Sequence, residues 1–369
     1  MKKWLLFLSV YCLTTLISFA QVHELSQDSV INRLELNTLN LSVQSGAAVA
    51  TDYYNRGNLL AFFGDTVNAL ADFDLAISKD QVLELAYVGR GTIYQKQGKY
   101  ELSEQDLNAA IKLNKTSTLA LNNRGYLYQQ WNKPDLAIKD FETAIKIDSK
   151  FERGYMNLAD VYFSQNKNDQ AFVVLDQMVA ARKDDPKVYS TRSEIYRDAG
   201  MLRKALDDLN KAVELSGFDD EYLIERAKFK DDYISDDVGA WEDCDLAILK
   251  NPHVADYYYQ RSRPLYDLKE FEAVIENCDK AIERDPKHAN ALIMKANVTD
   301  MFGFYEDAKK LYDRAILADP NQYDGYIQLA ISEFGQGKKQ QSLATLERYI
   351  ARGTFNKNVI EYHGKIAAD

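Results

Sequence analysis

Apolar and polar positions along this chain recur with two periods at once. The short period is helical. Tyr87, Gly91 and Tyr94 fall four and then three residues apart, so large, small and large side chains share one helix face. The long period shows in two phrases. RGTIYQKQGKYELSEQDLNAAIKLN runs from Arg90 to Asn114, and RGYLYQQWNKPDLAIKDFETAIKID runs from Arg124 to Asp148. When Arg-Gly is set at positions 7 and 8, units begin at Ala50, Glu84, Thr118, Glu152, Pro186, Asp220, Ala255, Ala289 and Tyr323, and the unit at Asp220 is one residue longer.

Each unit reads as helix, turn, helix. Position 4 is large (Tyr53, Tyr87, Leu121, Tyr155, Tyr189), position 8 is small (Gly57, Gly91, Gly125, Ala159, Ser193), and position 11 is often Tyr (Tyr94, Tyr128, Tyr162, Tyr196). The second half carries small residues at positions 20 and 27 (Ala69 and Ala76, Ala137 and Ala144) and a larger one at 24 (Phe73, Leu107, Phe141). Small positions let helix backbones approach, and large ones fill the space beside them. Gly64, Gly98, Gly200 and Gly303 sit between the halves, where a left-handed residue ends the first helix. Pro252, Pro286 and Pro320 close units where a helix must stop.

This pattern resembles the tetratricopeptide repeat family, in phase over nine units (50–83, 84–117, 118–151, 152–185, 186–219, 220–254, 255–288, 289–322 and 323–356). The resemblance implies an all-α chain, a right-handed α-solenoid of nine helix-turn-helix units whose first helices line a binding groove. Residues 357–369, with Val359, Ile360, Tyr362 and Ile366, are expected to form a capping helix over the last exposed face. Residues 21–49 match no unit and are expected to be a linker, helical in part.

Position 7 is arginine in six units, and position 23 changes with it. Arg56, Arg90, Arg124, Arg192 and Arg226 go with Asp72, Asp106, Asp140, Asp208 and Asp243, and Arg261 goes with Asn277. Where the arginine is absent the acid is absent too: Leu158 goes with Val174, Lys295 with Leu311, and Leu329 with Thr345. A guanidinium on a packed face needs a carboxylate, and a carboxylate there needs its guanidinium. The expectation is a structural ion pair inside each unit, because pairing to the next unit would set Asp140 against Leu158.

Composition adds a destination. Lys2 and Lys3 precede an apolar stretch, Trp4 to Ala20, that ends Ser18-Phe19-Ala20. This is the form of a secretory signal, 1–20, cleaved after Ala20. An exported protein of the periplasm, the cell envelope or the extracellular space is expected, with no membrane span in the mature chain. The net charge of −11 becomes more negative by two once Lys2 and Lys3 are removed, which argues against nucleic acid. Cys244 and Cys278 both fall at position 24 of neighbouring units, too far apart for a disulfide, and are expected to be buried free thiols.

No phosphate-binding loop, nucleophile elbow, dinucleotide fingerprint or metal-ligand spacing occurs, so no cofactor, no metal and no enzyme activity is expected. Asp231, Asp232, Asp236 and Asp237 lack the spacing of a calcium loop and read as a solvated turn. Pro264 falls inside a first helix, where it removes the bond to the Gln260 carbonyl and is expected to bend the helix.

The expected partner is a protein or peptide. By the same resemblance the groove is lined by Tyr54, Asn58, Asn122, Tyr126, Gln130, Asn157, Asp160, Lys187, Arg197, Tyr259, Arg263 and Tyr266. A set of Lys, Asn and Arg that grips a C-terminal carboxylate in some family members is mostly missing, with only Asn157 and Lys187 in place. A non-protein ligand such as a glycan is the alternative. It would favour an aromatic platform without charges, whereas here charges interleave with the rings.

Overall fold

The computed structural model describes residues 27–353 and 356–368, and every regular element among them is a helix. The leader read over 1–20 lies outside the described residues. None of the described helices is long and apolar enough to cross a membrane.

The chain divides into two compact units, one ending at Ala181 and one beginning at Arg182. The first holds α1 (Gln27–Gln44) and four helix pairs: α2 (Ala50–Phe62) with α3 (Thr66–Lys79), α4 (Glu84–Lys96) with α5 (Tyr100–Leu113), α6 (Thr118–Gln130) with α7 (Pro134–Ile147), and α8 (Glu152–Ser164) with α9 (Asn168–Ala181). The second holds five pairs: α10 (Pro186–Asp198) with α11 (Leu202–Leu215), α12 (Asp220–Phe229) with α13 (Asp237–Lys250), α14 (Ala255–Asp267) with α15 (Phe271–Arg284), α16 (Ala289–Met301) with α17 (Tyr305–Ala318), and α18 (Tyr323–Gly335) with α19 (Lys339–Ile350). It ends with α20 (Lys357–Ala368). Within a unit, each second helix packs on its own partner and on the first helix of the next pair.

The turn inside every pair holds one left-handed residue. Glycine supplies it at Gly64, Gly98, Gly200, Gly303 and Gly337, but Asn132, Asn166, Ser235 and Lys269 adopt the same conformation. Asparagine tolerates this region and lysine does not, so Lys269 at φ 63° carries strain.

The core is set by the pairing of positions 8 and 24. A Cβ on Gly57 would lie 2.9 Å from the Phe73 ring, and one on Gly125 would lie 2.6 Å from the Phe141 ring. Both rings are almost wholly buried. Where position 24 is a shorter leucine, as at Leu175, alanine is accommodated at Ala159. Glycine at position 8 is therefore the space a phenylalanine occupies.

Several expectations are refined. Within the segment expected to be a partly helical linker, residues 27–44 form α1, which packs on α2. Asn40 accepts from Arg56 Nη1 at 3.3 Å, and the Ser42 hydroxyl donates to Asp52 at 3.1 Å. In the capping helix, Val359 and Ile366 are buried but Ile360 is 46% exposed, so it does not belong to the apolar seam. In the segment after α12, Asp232 and Asp236 are exposed as expected, but the Asp231 side chain is not. The extra residue is taken up by a π-helical turn, Lys230–Ile234, that continues α12. Helix α14 runs unbroken through Pro264.

Cys244 and Cys278 are buried and unpaired. Burial pushes both thiols up to about 12, out of the reactive range.

Candidate functional site

The arginines of position 7 hold the first helices in register. Arg56 Nε and Nη2 donate to Asp72 at 2.7 and 2.6 Å. The same two-point contact joins Arg90 to Asp106, Arg124 to Asp140, Arg192 to Asp208, and Arg226 to Asp243. Arg261 donates through Nε to Asn277 at 2.9 Å. Asp72, Asp140 and Asp243 are nearly inaccessible, and the hydrogen bond Arg124 donates to Asp140 is the main reason its guanidinium holds its proton more tightly than usual.

Arg56, Arg90, Arg124, Arg226 and Arg261 also reach backwards, which the sequence reading missed. Arg90 Nη1 donates to Asp74 at 2.6 Å, Arg124 Nη1 to Asn108 at 2.6 Å, and Arg226 Nη1 to Asn210 at 2.9 Å. Arg261 pairs with Asp245 in the same way, and Lys295 with Asp279. All these acceptors lie at position 25 of the preceding pair, so the ion pairs bridge pairs as well as closing them. The signal was present as a polar residue sixteen places before each arginine, Asn40 before Arg56 included.

Where the arginine is lost, space opens. A cavity of about 440 Å³ lies beside Leu158 and Val174, with Glu142, Lys146 and Gln177 among its lining residues. Glu142 occupies position 25, where a longer side chain at 158 would find its acceptor. This cavity is what a shorter residue leaves in the ladder.

A different cavity brings several expected groove residues together. About 360 Å³ in volume, it is walled by the first helices of three successive pairs. Thr92, Gln95 and Lys96 come from α4; Asn122, Asn123, Tyr126 and Gln130 from α6; Arg153 and Asn157 from α8. Asn157 Nδ2 donates to Asn122 Oδ1 at 2.8 Å, and Gln95 Nε2 donates to Gln130 Oε1 at 3.1 Å. Each amide keeps hydrogen-bonding capacity beyond these contacts, because it carries two donors and two lone pairs. No carboxylate lines the cavity, while Lys96 and Arg153 bring positive charge to it. Tyr126 is 44% exposed at its edge. Asn122 is buried, so it acts here by holding Asn157 rather than as an open surface group.

The other expected residues divide. Asn58 and Lys187 are exposed. Asp160 is exposed as well, yet surrounding protein desolvates its carboxyl and raises its pKa, as befits a wall residue. Tyr54 is half-buried and packs on the Phe73 ring at the edge of a core cluster. Tyr266 packs edge-on to Phe271 against a buried cluster.

In the second unit a smaller cavity, about 200 Å³, is lined by Glu194, Arg197, Glu225, Lys228, Phe229, Asp232 and Tyr233. Arg197 pairs with Asp198 at 2.9 Å and lies over the Tyr233 ring. Burial raises Glu225, against the opposing effect of the Ser190 hydroxyl that donates to it. Tyr259 tilts on His288 at 5.3 Å, and Arg263 is held by Asp231 and Asp232 rather than offered to a ligand.

Models described as tetratricopeptide repeat match residues 85–117, 118–151, 255–288 and 302–357. The chain is a tetratricopeptide repeat protein. Among solved structures, this repeat protein is similar to yeast Tom70 at 13% identity and a TM-score of 0.49, over 90% of this chain and 91% of that one. It is similar to the MamA protein at 19% identity and a TM-score of 0.38, over 45% of this chain and 90% of that one. No curated protein matches the repeat protein's sequence. The fold is one that serves protein–protein interaction in general.

Proposed function

We propose that this repeat protein is a non-enzymatic scaffold that grips an extended, acidic stretch of a partner protein on its first-helix face, at the cavity between α4, α6 and α8. The observation that carries this reading is the cavity's lining: five amides and two cations, with no carboxylate, on a chain of net charge −11. Amides satisfy the backbone of an extended peptide, which has no partners of its own, and Lys96 and Arg153 select its acids. The basic start and apolar stretch over 1–20 support export, with the bacterial envelope as the place of action.

The test is fluorescence polarisation with acidic and basic peptide libraries against the intact chain and a Lys96→Glu/Arg153→Glu variant. Acidic peptides should bind at least tenfold better than basic ones, and the variant should lose that preference. Equal binding of both libraries, or unchanged binding by the variant, refutes the reading. A phosphatase fused after Ala20 should be active only outside the cytoplasm if the leader is used.

A further inference from the structure

The extra residue of the 220–254 pair does more than lengthen a turn. It forces the end of α12 into the π-helical turn Lys230–Ile234, closed by Ser235 in a left-handed conformation. Such insertions cost regular hydrogen bonding and recur where a side chain has been re-aimed for use. Here the re-aimed side chain is Asp231, which is only 6% exposed. Its Oδ2 accepts from Arg263 Nη2 at 2.8 Å. Its Oδ1 is buried with no hydrogen-bond partner at all. Two further acids point the same way: Asp237 is the first residue of α13 and Asp267 is the last of α14. One carboxylate oxygen from each of the three lies within 4.8 Å of the others.

We propose that Asp231, Asp237 and Asp267 form a calcium site that staples the π turn to α13 and α14. Of the three carboxylates, Asp231 pairs with Arg263, and Asp232 shares that guanidinium, so the cluster keeps excess negative charge. An orphaned buried carboxylate oxygen is costly, and a cation supplies what it lacks. Oxygens that share one calcium ion, each roughly 2.3–2.6 Å from it, stand no more than about 4.6–5.2 Å apart, and the three here lie within 4.8 Å of one another. The donors are all hard oxygens with no imidazole or thiolate among them, which excludes the preferences of zinc and copper. Calcium accepts more oxygens in looser geometry than magnesium, which suits donors drawn from a turn and two helix ends. Asp267 is exposed, so water completes the coordination shell. Consistent with this geometry, burial pushes Asp231 up to about 6. Arg263 opposes that rise, while Asp232, Asp267 and Asp237 add to it. The same π turn carries Asp232 and Tyr233, which wall the smaller cavity of this unit, so an ion here fixes that wall.

The test uses the full chain, stripped with a chelator and titrated with calcium chloride by calorimetry. Terbium is the luminescent probe, sensitised by Tyr233 and Trp241. One ion should bind with a dissociation constant on the order of 10⁻⁴–10⁻³ M, the range of extracellular modules. Asp267→Asn, an exposed substitution that leaves the core intact, should weaken binding at least tenfold. Glu272→Gln, an exposed acid outside the cluster, should leave it unchanged. Magnesium should compete at least tenfold more weakly than calcium. The proposal is overturned by the absence of a saturable signal, by Asp237→Asn and Asp267→Asn both titrating like the parent, or by magnesium binding equally well.

Discussion

Arg124 and Asp140 allow the ladder of ion pairs to be tested against the chain's own alternative. Replacing Arg124 by leucine leaves the Asp140 carboxylate buried, with its two charged donors at 2.7 Å gone. At pH 7 the orphan can escape only by taking a proton. From an ordinary carboxylate value near 3.9, about three pH units at roughly 1.4 kcal/mol each set a ceiling near 4 kcal/mol. Water reaching the site through the space the arginine vacates reduces this, so Arg124→Leu should cost about 2–4 kcal/mol. Asp140→Val should cost less. The Arg124 side chain is 21% exposed, and Asn108 still accepts from its Nη1. The double variant Arg124→Leu/Asp140→Val reproduces what Leu158 and Val174 already do one pair later. It should be less damaged than Arg124→Leu alone, because no charge is left buried without a partner, although it opens space like that beside Leu158.

The assay is urea unfolding of all four members of the cycle at pH 7 and pH 5. The penalty of Arg124→Leu should shrink at pH 5: the orphaned acid has a raised folded pKa, so the folded state gains protons relative to the unfolded chain as pH falls. The sum of the single costs should exceed the cost of the double by about 2 kcal/mol or more. If the double variant is as damaged as the sum of the singles, the two positions are independent. Their joint change along the sequence would then have some other cause.

Four shorter expectations follow from the same contacts. Gly125→Ala sets a Cβ at 2.6 Å from the fully buried Phe141 ring and should destabilise by about 1–2 kcal/mol despite alanine's better helix propensity, whereas Gly91→Ala meets Leu107 at 3.3 Å and should stay within about 0.5 kcal/mol; thermal unfolding decides both. Lys269→Gly relieves a left-handed lysine and should raise stability by up to about 1 kcal/mol, since the strain relieved exceeds the added freedom of the unfolded chain. Cys244 and Cys278 should resist a thiol reagent until the chain unfolds, and labelling at the unfolding midpoint checks it. In chelator, Asp231→Asn should stabilise the chain at pH 8 and lose that advantage as pH falls from 6 towards 4, because the raised Asp231 carboxyl takes up its proton over that window; a flat difference across the window counts against a buried, crowded Asp231.

What was legible in the sequence follows from what repeats. Positions 4, 8, 11, 20, 24 and 27 each face a neighbour built to the same plan, so one contact appears many times and its chemistry can be read from variation within one chain. The Arg–Asp pairing is the clearest instance, since Leu158 with Val174 supplies the comparison. The backward reach of each arginine was harder to see, because its acceptor alternates between Asp74, Asn108, Asn210 and Asp245 and a search for acids alone passes over the asparagines. The first-helix face was placed only roughly. Tyr54 and Tyr266 share the positions of open groove residues but pack on large rings, Phe73 and Phe271, and are half-buried. Helix α1 was expected only as part of a linker, because it matches no repeat unit and exposes Leu34 and Leu41, which blurs its apolar stripe.

The acids after α12 were misread for a reason that bears on where function lies in such a chain. A repeat is informative while it holds, and the 220–254 pair is where it slips by one residue. Reading those acids as a loop assumed that an insertion falls in the solvent-facing turn. The backbone instead keeps its helix and widens it, so the extra residue rotates everything after Phe229 relative to the pattern. That rotation buries Asp231, brings it to the last residue of α14, and gives Arg263 an acid in place of an open face. In a regular array every contact has a structural duty set by its copies. A side chain freed from that register has none, and its unmet oxygen is the reason to look there for a ligand rather than along the regular ladder.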